Sequence, residues 1–173
     1  MAVLVTGAAV GVPVWLRPLP GPEHPGTSAT AAVAAHSRPP QVRAGPRDAA
    51  RAAAVLRRWD LARARAWAGG DERRLRALYA AGSTAGAADV RMLRAWSRRS
   101  LTVSGLRTQL LRVEVQSEGD GLWQLVVTDR VSGADVVAPS GRVRRLPAGP
   151  VTTRLVTLLR AGERWQVSSV RPA

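Results

Sequence analysis

After Ser100 the spacing of apolar residues changes from a helical to an alternating period, and this change constrains the fold more than any other feature of the chain. Ahead of it, Ala52, Val55, Leu56, Trp59, Ala62 and Ala66 recur at helical intervals, which predicts a long amphipathic helix over residues 47–68. Pro46 suits its first turn, and Asp48 complements the positive end of the helix dipole. Gly69 and Gly70 end this helix. Asp71 is placed to cap a second one, in which Leu75, Leu78 and Tyr79 share a face before Gly82 stops it. A third, short helix is predicted over residues 89–99, with Val90, Leu93 and Trp96 or Ser97 along its apolar edge.

Beyond the change of period, Leu111, Val113 and Val115 are expected on one face of a strand and Arg112, Glu114 and Gln116 on the other. Glu118-Gly119-Asp120-Gly121 supplies turn chemistry, so residues 122–130 return as the second strand of a hairpin. Trp123, Leu125, Val127 and Asp129 then share a face. Pro139, Pro147 and Pro150 predict an irregular connection over residues 131–150. A second hairpin follows, with residues 151–160 and 164–170 around Ala161-Gly162-Glu163. Helices followed by long hairpins give an α+β domain over residues 47–173, its N-terminal helices packed on a curved antiparallel sheet.

The 173 residues suffice for one domain with a real core. Phe is absent and Tyr79 is the only tyrosine, so the large core side chains must be mainly Leu, Val and the six tryptophans. Residues 1–17 form an apolar segment without a charge before Arg17. The segment falls slightly short of the ~20 apolar residues of a spanning helix, and it is expected to be a membrane anchor or signal segment whose translation start lies upstream of Met1. The alternative is a short apolar element of a cytoplasmic protein. Residues 18–46, rich in Pro, Ala, Gly, Ser and Thr, cannot bury enough apolar area to offset ordering entropy and are read as a disordered linker.

AWAGGDERRLRALYA, at Ala66 to Ala80, resembles the helix-turn-helix opening of the nuclear transport factor 2-like superfamily, the cone-shaped, cystatin-like α+β barrels. LVTLLRAGERWQV, at Leu155 to Val167, is similar to the last hairpin of that superfamily. Within it the chain most resembles membrane-anchored or exported members from high-GC bacteria. The resemblance implies a cone with a mouth. It implies no single function, because some members isomerise or dehydrate small ligands while others dimerise or dock partners.

Zero cysteines exclude disulfides, thiolate metal sites and a cysteine nucleophile. Both histidines, His24 and His36, lie in the linker, where nothing holds them in catalytic geometry. Neither a phosphate loop nor an aspartate-rich metal loop is present, so no cofactor and no metal are expected. Any chemistry must therefore run on carboxylates. Asp129 is the candidate general base, since alternation turns it toward the cone, where burial would raise its pKa. Tyr79 and Asp60 are its polar companions, and Trp59, Tyr79, Trp123 and Val127 are the expected pocket residues. The competing structural reading has Tyr79 as a packing aromatic and Asp60 balanced by Arg57 and Arg63, one helical turn on either side.

The formal charge of +14 comes entirely from arginine. Arg47, Arg51, Arg58 and Arg65 form a basic stripe opposite Trp59, and Arg142, Arg144 and Arg145 cluster farther on. These are read first as a solvated basic face; as a binding site they favour an anionic polymer or membrane surface over nucleic acid, for which stacking aromatics or a known motif are missing. The reading these features favour is a non-enzymatic, extracytoplasmic scaffold or protein-interaction domain, binding another protein or a second copy of itself. The alternatives are a ligand-binding or isomerase-like cone and a basic module for anionic surfaces.

Overall fold

A computed structural model describes residues 45–173. The apolar segment over 1–17 and nearly all of the linker lie outside the described residues. Among those described, no helix is long and apolar enough to cross a membrane.

Helix α1, Pro46–Ala68, carries Pro in its first turn and begins with Gly45 N donating to Asp48 Oδ2 at 3.1 Å. Its buried face is Ala52, Val55, Leu56, Arg63, Ala66 and Trp67, as the helical period requires, except that an arginine replaces an apolar residue. Arg47, Arg51, Arg58 and Arg65 are all exposed on it. Helix α2, Glu72–Ala77, starts at Asp71, whose side chain accepts from Arg74 N at 2.9 Å.

Two helical expectations are corrected. Tyr79 lies beyond α2, in a short extended stretch that bridges Val167 in parallel, with Val167 N donating to Leu78 O and Ala80 N donating to Val167 O, both at 3.0 Å. Helix α3, Thr84–Ser97, starts five residues before the expected Asp89. Ser83 caps it by accepting from Gly86 N at 3.2 Å, a cap hidden in the sequence by the low-contrast run Thr84 to Ala88. Val90, Leu93 and Trp96 are buried on α3 as expected.

Strands β1, Thr102–Gly119, and β2, Leu122–Val137, form a long antiparallel hairpin, and β4, Thr152–Ala161, and β5, Arg164–Pro172, form a second. The sheet order is β1-β2-β4-β5, with β3, Val143–Leu146, paired to the far end of β2. The irregular connection expected over 131–150 is therefore largely strand. Its prolines do break pairing, but they fall in the turns on either side of β3, leaving the segments between them free to pair.

The alternation expected around Leu111 is also corrected. Leu110 pairs with Asp129 and Arg112 with Thr128, so Leu111 is an extra, bulged residue and is 47% exposed, while Leu110 turns inward. Further register shifts on β1, around Gly105 and Leu106, coincide with a change of inward phase on β2 from Val131 to Ala134. Such bulges bend a sheet, and the bent sheet wraps α1. The fold is α+β, with N-terminal helices packed on a curved antiparallel sheet.

Candidate functional site

The helical period of α1 brings Leu56, Trp59, Asp60 and Arg63 to the side that meets the sheet. Alternation along β2 turns Val127 and Asp129 to the same space, and alternation along β4 turns Arg154 and Val156. Together with Tyr79, Ala85, Thr108, Leu110, Val167 and Val170 these residues line an open cleft that leaves a volume of about 60 Å³ to the centres of water-sized molecules. Its walls are mostly apolar, and its charged groups are Asp60, Asp129 and Arg154.

Asp60 bridges helix and sheet. Its Oδ1 accepts from Thr108 Oγ1 at 2.8 Å and its Oδ2 from Thr108 N at 3.2 Å. Burial pushes its pKa above the ordinary aspartate range; the Thr108 hydroxyl, the charge of Arg63 and the Thr108 amide pull against this, and Asp129 adds to it. On the facing strand, Asp129 is buried and takes Arg154 Nη2 on both carboxylate oxygens, with Thr152 Oγ1 donating to Oδ1 at 3.3 Å. The Arg154 guanidinium thus occupies both oxygens of the Asp129 carboxylate.

Behind the aromatic wall lies a second polar group that the cleft does not reach. Asp89 on α3 accepts from Arg63 Nε at 2.7 Å, Arg63 Nη2 at 2.8 Å, Trp67 Nε1 at 3.1 Å and the Tyr79 hydroxyl at 2.8 Å. Burial and the Asp89 charge hold the Tyr79 phenol protonated, well above its ordinary range. Tyr79 therefore presents its ring to the cleft and its hydroxyl to the network. Trp59 meets that ring edge-on, with centroids 5.3 Å apart, and its indole N–H is held by Leu78 O at 2.8 Å.

No family model matches the sequence, and a search of curated proteins finds no match. Among solved structures, the chain is similar to Aln2 from a Streptomyces species, at 16% identity and a TM-score of 0.49 over 76% of this chain and 93% of that one. It is also similar to an NTF2-like family protein from Streptomyces avermitilis, at 15% identity and a TM-score of 0.45 over 70% and 96%. The intermembrane space region of the chloroplast protein ARC6 matches at 14% and 0.46 over 73% and 98%. All three likenesses have TM-scores below 0.5, and the site is read from this chain's own residues.

Of the pocket residues put forward from the sequence, Trp59, Tyr79, Val127 and Asp129 line this cleft. Trp123 does not. It shares the inward face of β2 but lies toward the β1–β2 turn, where it stacks on Trp165 at 4.6 Å between centroids and carries Arg51 over its ring at 5.6 Å. Arg63, expected to balance Asp60, bonds Asp89 while its charge still acts on Asp60. Sequence reasoning missed Arg154 and Thr108. Arg154 was detectable in principle, because it alternates with Val156 and Leu158 and so had to face inward. Thr108 carried no such signal, since the phase of β1 depends on its bulges.

Proposed function

We propose that the domain binds a small, mostly apolar molecule in the cone, anchored by one polar group at Asp60. The observation that carries this reading is the placement of Asp60 in an apolar cleft, held by Thr108 and with its pKa raised by burial. Apolar walls with a few convergent polar groups are the usual form of a small-ligand site. The raised pKa also favours a second reading, in which Asp60 exchanges a proton with the bound molecule as a general acid or base. In that case Asp60 takes the part that the sequence assigned to Asp129.

The scaffold reading calls for one contiguous apolar patch. Among the described residues, the large exposed apolar side chains are Leu61, Leu111, Val143 and Val151, on four separate segments.

An NMR titration with a panel of six-carbon cyclic compounds tests the proposal. Binding should move the Trp59 indole N–H and the methyl signals of Leu110, Val127 and Val156, and Leu110→Trp, which fills the cleft from its wall, should suppress these shifts. Shifts confined to the outer face of the sheet would overturn the reading.

A further inference from the structure

The charges around the cone do not balance. Arg154 is matched by Asp129, and Arg63 is matched by Asp89 through two bonds at 2.7 and 2.8 Å. Asp60 is the third carboxylate against these two guanidinium groups. In a chain with a net charge of +14, the cleft and the group behind it thus hold one more carboxylate than guanidinium.

The hydrogen-bonding capacity points the same way. The neutral donors of the lining already donate within the protein: Trp59 Nε1 to Leu78 O, the Tyr79 hydroxyl to Asp89, and the Thr108 hydroxyl and amide to Asp60. Arg154 faces Asp129. The carboxylates have lone pairs beyond these bonds, so what the cleft has to offer a guest is chiefly acceptor capacity. A ligand carboxylate would meet Asp60 and Asp129, and a ligand carbonyl would compete for donors already engaged. A cation would neutralise the surplus charge, and the Trp59 and Tyr79 rings beside Asp60 add favourable quadrupole contacts.

We propose that the ligand is a small organic cation, an ammonium group on a hydrocarbon body, with its N–H donors on Asp60 and its apolar part against Leu110, Val127, Val156 and Val170. This rests on the cone being a ligand site, and the test keeps the two claims apart.

The test is a titration of the full chain at neutral pH with cyclohexylammonium, cyclohexanol, cyclohexanone and cyclohexanecarboxylate, read by calorimetry and by the Trp59 indole signal. The ammonium should bind about tenfold tighter than the alcohol, the order expected for one charge-assisted hydrogen bond, with the ketone and the carboxylate weaker still. Asp60→Asn should weaken the ammonium more than the alcohol and so close most of the gap between them. The wild-type ranking decides the matter even where the variant fails to fold. If the alcohol, ketone or carboxylate binds as tightly as the ammonium, the cation proposal is overturned and the cone remains a ligand site. If none of the four moves the Trp59 signal, the ligand-site reading falls, and the cation proposal with it.

Discussion

Gly86, in the first turn of α3, lies directly against the ring of Tyr79: a Cβ built on Gly86 would stand 2.5 Å from Tyr79 Cγ and 2.6 Å from Tyr79 Cβ. Tyr79 is a wall of the cone and a donor to Asp89, and it is pinned on its other side by the bridge to Val167. Moving the ring away from Gly86 would disturb the hydroxyl bond to Asp89 and the edge-on contact with Trp59. Gly86→Ala is therefore expected to destabilise the domain by about 1–3 kcal/mol, the usual range for overpacking, despite the higher helix propensity of alanine. Urea denaturation of the two proteins measures the difference, and an unchanged or raised midpoint would contradict the packing described.

The Arg63–Asp89 pair is fully enclosed and shares its carboxylate with Trp67 and Tyr79. Truncating Asp89 to Ala leaves a buried guanidinium without its carboxylate, and the loss should be about 3–5 kcal/mol. Replacing both partners with apolar residues of similar volume, Arg63→Met with Asp89→Leu, should recover much of it, because no uncompensated charge is then buried. Denaturation midpoints of the single and double variants check this, and additivity of the single losses would sink it.

Asp60 makes stability depend on pH in the direction opposite to a salt-bridged carboxylate. Its pKa is raised in the folded state, so the native protein holds this proton more tightly than the unfolded chain. Relative to Asp60→Asn, the wild type should lose stability as pH rises from the ordinary aspartate range through the raised folded value. It should regain that stability on acidification. Denaturation of both proteins at a series of pH values gives the difference curve, and a slope of the opposite sign would show that hydrogen bonding to Thr108 and the charge of Arg63 outweigh burial.

Trp123 separates packing from binding. Its stack with Trp165 and its distance from the cleft lining predict that Trp123→Ala costs about 3–5 kcal/mol, and that the milder Trp123→Phe leaves the affinity of cyclohexylammonium within about twofold. Calorimetric titration of Trp123→Phe measures this. A large loss of affinity would return Trp123 to the pocket, where alternation alone would have put it.

Much of the scaffold follows from short-range patterns. The period along α1 and β2, the cap at Asp71, and the glycine turns after Gly119 and Ala161 are local effects, and each appears where the residue order requires it. What failed were inferences that needed a partner. Leu111 faces outward because β1 bulges against β2, and a bulge shifts every later side chain to the other face. β3 exists because the far end of β2 has a free edge to pair, a fact invisible in Val143 to Leu146 themselves.

The candidate site divides in the same way. By itself, the sequence determined that carboxylates are the only acid–base groups in the domain suited to neutral pH and that Asp129 turns inward with Val127 and Leu125, because composition and a period of two need no tertiary information. The tertiary structure decided which arginine meets which carboxylate. Arg63 and Asp89 are 26 residues apart and Arg154 and Asp129 are 25 apart, so their pairing depends on how α1, α3, β2 and β4 pack. That pairing leaves Asp60 as the carboxylate held by Thr108 rather than by a guanidinium bond, and the balance of groups at a buried site is set by neighbours in space, which chain order does not fix.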